Sequence, residues 1–69
     1  MRQYVVVIEK AGKNYSAYLP DVPGCVATGR TKSAARRVLR EALELHLEGL
    51  REDGRKPPVP HAVAQLVSI

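Results

Sequence analysis

The sequence predicts an α+β domain of order βββαβ, a four-stranded mixed sheet with one helix on one face. Two observations carry most of this. A β-branched run, Tyr4 to Ile8, opens the chain, and a stretch without proline from Lys32 to Asp53 places apolar residues at helical spacing. A second apolar run, Ala62 to Ile69, supplies the last strand. At 69 residues there is room for one small domain, spanning 1–69, and no second one.

Tyr4-Val5-Val6-Val7-Ile8-Glu9 is apolar on both parities, as a strand buried on both faces would be, so a central position is expected. Ala11-Gly12 supplies a turn. Asn14 to Leu19 is then the return strand of a hairpin, with a bulge or a frayed end to reconcile Tyr15 and Tyr18, which lie on opposite parities. Pro20 to Gly24 breaks the chain, and Cys25 to Arg30 forms a third short strand ended by Gly29. A three-stranded antiparallel meander results.

Thr31 is the expected N-cap of a helix running to Asp53, with Gly54 as the residue that stops it and Pro57 beyond. Ala35, Val38, Leu39, Ala42, Leu43, His46, Gly49 and Leu50 fall on one face of it, opposite Arg37, Arg40, Glu41, Glu44, Glu48 and Arg51. One stripe packs on the sheet and the other meets water. Arg55 to Pro60 is a stiff proline-rich connector, and Ala62 to Ile69 follows as the fourth strand. A right-handed crossover brings that strand back parallel, most simply beside the first.

One helix covers one face of such a sheet. Val5 and Val7 on one parity and Tyr4, Val6 and Ile8 on the other cannot all reach it, so a homo-oligomer is expected to bury the second face. The size of the chain points the same way, because a core this small supplies only about 3–5 kcal/mol and a single cysteine forms no intrachain disulfide. Cys25, His46 and His61 have no structural-zinc spacing, so no metal and no cofactor are expected. The longest uncharged apolar run, Tyr4 to Ile8, is far short of the ~20 residues of a membrane span. Met1-Arg2-Gln3 leads straight into it without a signal-peptide core, so a cytoplasmic, soluble protein with no membrane contact is expected.

The candidate chemistry is thin. Cys25 as nucleophile with His46 as base and Asp21 as orienter would need all three within hydrogen-bond reach in a cleft; a lone Cys at a strand start reads better as a small buried hydrophobe, and His46 as a core or interface residue. The strands offer Glu9 as their single carboxylate, which is too few for metal-dependent nuclease chemistry. A non-enzyme is expected.

Charge is more informative. The net +4 is mild, but its layout is segregated: Arg30, Lys32, Arg36, Arg37 and Arg40 precede Glu41, Glu44, Glu48, Glu52 and Asp53. Cations early in a helix and anions late oppose the helix dipole, each misplaced charge costing about 0.3–1 kcal/mol. The basic group is therefore a candidate contact for nucleic acid or another anionic partner, and Glu41, Glu44 and Glu48 a candidate surface for a basic one. With Tyr4, Tyr15 and Tyr18 as the only rings, binding of single strands by base stacking has little support.

Leu19-Pro20-Asp21-Val22-Pro23-Gly24-Cys25, with Tyr4 to Lys10 before it, Ala42 to Leu47 after it and a Pro-x-Pro connector, resembles the HicB-like antitoxins over nearly the whole chain. The resemblance implies a truncated ribonuclease H-like fold. It also implies a role: binding and silencing a HicA-type toxin, a small basic RNA-cleaving protein, by protein–protein contact within a type II toxin–antitoxin system. The residues themselves read Asp21, Pro23, Gly24 and Cys25 as a structural corner, since the prolines fix φ, Asp21 can bond neighbouring backbone N–H groups and Gly24 permits φ > 0. Many family members continue into a DNA-binding segment after the fourth strand; this chain stops at Ile69, so no C-terminal DNA-binding domain is expected. A solitary small RNA- or DNA-binding module with a basic helix face is the alternative.

Overall fold

In the computed structural model, which describes residues 2–69, Met1 lies outside the described residues and the rest forms a three-stranded antiparallel sheet under one helix. The strands are β1 (Val7–Ala11), β2 (Asn14–Tyr18) and β3 (Val26–Gly29), in the spatial order β1-β2-β3. The helix α1 spans Lys32–Glu52.

The β1–β2 hairpin turns at Gly12, whose φ of 62° is one that residues with a Cβ seldom adopt. Its register pairs Val7 with Tyr18 and Ile8 with Ala17, and β3 continues those rows with Val26 and Ala27. Two faces follow from the pleat. Ile8, Ala17 and Ala27 meet the helix; Val7, Tyr18 and Val26 form the opposite row, where Val26 is 67% exposed. Tyr15 and Tyr18 therefore point to opposite faces within a regular ladder, and no bulge is needed to place them.

The helix begins where expected. Thr31 Oγ1 accepts the Ala34 N–H at 3.0 Å, an N-cap that satisfies one of the donors left over in the first turn. It ends at Gly54 with φ 71°: the Gly54 N–H bonds Arg51 O at 3.0 Å and the Arg55 N–H bonds Leu50 O at 2.8 Å, the paired closure of a Schellman motif. Helix and sheet approach most closely at Gly29. A Cβ there would stand 2.6 Å from Ala35 N, so only glycine lets the first turn of α1 sit on β3.

The core is Ala17, Leu19, Val22, Cys25, Ala27, Ala35 and Leu39, with Tyr4, Val6, Ile8, Tyr15, Ala42 and Leu43 packed around it. Leu19, Val22 and Cys25 reach it from the Pro20–Gly24 corner. Two successive turns, Val22 N–H to Leu19 O at 3.1 Å and Cys25 N–H to Val22 O at 3.2 Å, bring every third residue inward. The corner is thus a plug of the core.

Three expectations need correction. The fourth strand is absent: residues 62–69 have no regular structure, and the sheet is purely antiparallel instead of mixed. A strand exists by pairing, and Val63, Leu66, Val67 and Ile69 are exposed side chains on a segment paired with none of the three strands. The first strand is correspondingly an edge, shifted to Val7–Ala11, with Tyr4 to Val6 outside the ladder. His46, expected on the packed stripe of the helix as a core or interface residue, is exposed on the single chain, which corrects the core half of that reading. The reason is reach, since α1 lies over β3 and β2 and its later turns run past the sheet they would need beneath them.

Candidate partner-binding surfaces

The basic residues divide. Arg36, Arg37 and Arg40, on the first half of α1, join Arg2 around a groove of about 480 Å³. Its floor includes Tyr4, Val6, Leu19, Leu39 and Leu43. Arg30 and Lys32 lie outside it. Arg30 is exposed at the β3–α1 junction, and Lys32 Nζ stands 6.0 Å from the centre of the Tyr15 ring, at the outer reach of a cation–π contact. Arg2 and the apolar floor were not legible as a site, because the segment before β1 meets the helix only in the folded chain.

Glu41, Glu44 and Glu48 are exposed on the helix as expected. Arg40 Nε approaches Glu44 Oε1 at 3.3 Å, the one ion pair among the described residues, and both side chains are largely in water, where such a pair contributes ~1 kcal/mol or less. Arg37 and Glu41, at the same i,i+4 spacing, form none. Glu44 and Glu48 also border a second depression with Arg2, Arg51, Arg55 and Pro57. Around it the acidic ridge is interleaved with cations.

Asp21 has a longer reach than its neighbours in sequence suggest. Its Oδ2 accepts the N–H groups of His61 and Ala62, each at 2.9 Å, fastening the chain beyond the proline connector to the Pro20–Gly24 corner. The Ala62 N–H is the main cause of an Asp21 pKa below the usual carboxylate value; partial burial opposes it, and the His61 N–H and nearby imidazole assist. Tyr4 makes the second tie, its hydroxyl donating to Pro58 O at 2.6 Å.

The nucleophile arrangement does not assemble. Cys25 is buried, which pushes its thiol pKa up, Asp21 spends its carboxylate on backbone amides, and His46 stands in solvent. No three His, Cys, Asp or Glu side chains among the described residues are grouped to hold a metal ion. No helix among them is long and apolar enough to cross a membrane.

Comparison with known proteins gives a consistent picture. Residues 4–69 match the family described as the HicB-like antitoxin of bacterial toxin–antitoxin systems. An uncharacterised 14.9 kDa protein of the rep–hol intergenic region of Haemophilus phage HP1 is 37% identical over 65 residues, covering 94% of this chain and 49% of its own length. A UPF0150 protein of Helicobacter pylori is 43% identical over 47 residues, 68% of this chain and 65% of that protein. Another from Thermoplasma acidophilum is 33% identical over 61 residues, 87% of this chain and 88% of that protein. The chain thus spans about half of the phage relative and about two thirds of the Helicobacter one. No solved structure matches.

Proposed function

The chain belongs to the HicB-like antitoxin family of bacterial toxin–antitoxin systems, and from that premise we propose that it binds and neutralises a HicA-type RNA-cleaving toxin, acting by contact and without catalysis of its own. The match over residues 4–69 carries this reading. A toxin that handles RNA is basic, and the ridge Glu41, Glu44 and Glu48 offers it carboxylates on a rigid helix, where they steer encounter and fix orientation more than they add raw affinity. Occupying the toxin's cationic surface would deny that surface to RNA.

A second reading is favoured by the arginine-lined groove: a solitary module that binds RNA or DNA through Arg36, Arg37 and Arg40, with Arg30 and Lys32 nearby. The deciding experiment mixes the purified chain with a small basic toxin encoded beside it and follows RNA cleavage. Stoichiometric protection is expected, weakened roughly tenfold by Glu44→Lys with Glu48→Lys and little changed by Arg36→Glu with Arg37→Glu. Protection absent, together with salt-dependent binding of RNA by the chain alone that Arg36→Glu and Arg37→Glu abolish, would replace the antitoxin with the nucleic-acid module.

A further inference from the structure

We infer that residues 62–69 complete the sheet of a second copy of this chain, pairing along the free edge of its β1 while its own segment pairs with ours. The inference is independent of any toxin. The segment has the make-up of a strand that is apolar on both faces: Val63, Val67 and Ile69 fall on one parity, Ala64 and Leu66 on the other. In the single chain it pairs with nothing, and Leu66 is as exposed as an isolated residue.

The receiving slot is equally incomplete. β1 is an edge strand with unpaired backbone groups along Val7–Ala11. The helix lies over β3 and β2, and the arginine-rimmed groove opens between it and residues 2–6, just ahead of β1, with Tyr4, Val6, Leu39 and Leu43 in its lining. A strand paired along β1 and continuing past Val7 would bring side chains of one row to that groove. Its other row would extend the line Val7, Tyr18 and Val26 on the far face. The opposite edge of the sheet is a poorer host, since β3 offers four residues, Val26–Gly29, against the five of β1.

The two ties explain why the exchange is between chains. Pro58 is held at Tyr4, ahead of β1, and His61 and Ala62 are held at Asp21, just past β2. Since Val7 pairs with Tyr18, both anchors lie at the same end of the sheet. The connector therefore crosses that end from β1 toward the β2–β3 corner, and residue 63 starts out with its own β1 edge behind it. A twofold-related copy presents the same edge without a reversal of the chain. Two exchanged segments, each burying about half of its surface and an equal area of its slot, reach the order of the ~1,200–2,000 Å² of a standard stable interface.

The test uses the full chain. Sedimentation equilibrium from about 1 to 100 μM should show a monomer–dimer equilibrium. Leu66→Asp should weaken it by roughly a hundredfold or more, because the twofold repeats the substitution, and an exposed side chain leaves the monomer fold unaffected. In an equal mixture of isotope-labelled and unlabelled chains, inter-chain NOEs should join Leu66 or Val67 to Val6 or Ile8. A monomer throughout the range would overturn the proposal, as would NOEs between these residues only within one chain. So would a dimer indifferent to Leu66→Asp but broken by Tyr18→Lys on the outer face.

Discussion

Gly29 and Ala35 touch through backbone alone: a Cβ on Gly29 would lie 2.6 Å from Ala35 N and 2.9 Å from the carbonyl carbon of Ala34. The neighbours are main chain and the Ala34 Cβ at the capped start of a helix, so they cannot swing aside. Gly29→Ala should therefore destabilise the fold by about 1–3 kcal/mol. Gly49, in the same chain, has open space where its Cβ would be, and Gly49→Ala should stabilise by about 0.5–1 kcal/mol through helix propensity. Urea unfolding of the two variants should move the midpoint in opposite directions.

Thr31→Ala removes the acceptor for the Ala34 N–H and should cost about 1 kcal/mol, lowering Tm by about 4–8 °C for a domain of this size. Thr31→Asp should recover most of it, because a carboxylate both caps and favours the positive end of the helix dipole.

Cys25 is buried in the core, where its thiol stays protonated at neutral pH. Alkylation by iodoacetamide should be slowed, relative to an open thiol, by the small fraction of chains in which the core is open. Cys25→Ser should destabilise by about 1–3 kcal/mol by burying an unpartnered hydroxyl, whereas Cys25→Ala should cost less.

Asp21 makes a pH-dependent tie. Its pKa is lowered on folding, so the stability it contributes is present above the ordinary value of 3.8 and is lost as pH falls through the lowered folded value. Thermal unfolding followed from neutral pH into acid should show this loss in the native chain and less of it in Asp21→Asn. At pH 7 the same variant should speed hydrogen exchange at the His61 and Ala62 amides while leaving those of β2 slow. Equal exchange at residues 61 and 62 in both proteins would remove Asp21 as the anchor.

These predictions also mark what the sequence made legible. The helix was readable because its determinants are local: a Thr cap, a 3.6-residue apolar period, Gly54 and Pro57. The hairpin and β3 were readable for the same reason, apart from shifts of one residue at Leu19, Cys25 and Arg30, of three at the start of β1 and of two at its end. The fourth strand was not, because alternation shows which residues would suit a strand and leaves open which edge would pair with them. His46 fits the apolar stripe by angle, yet lies where the helix has outrun the sheet. Asp21 was recognisable as an acceptor for backbone N–H groups, but its donors come from 40 and 41 residues away, and no spacing rule points across that distance. Of the candidate surface, the arginines were visible and the apolar floor beneath them was not.

The long span of those ties gives the molecule an order of assembly. Between β1 and the end of α1 the heaviest packing joins segments that follow one another in the chain, β1 with β2, β2 with β3 and β3 with α1, which close quickly and at small entropic cost. The Tyr4–Pro58 bond bridges 54 positions, and with the Asp21 pair it is what holds the connector down. That clasp should form last and release first, at a free energy below that of global unfolding. The chain should therefore have two distinct openings, a frequent one that frees residues 56–69 and a rare one that melts the core, and a protease sampling the native protein would meet the first long before the second.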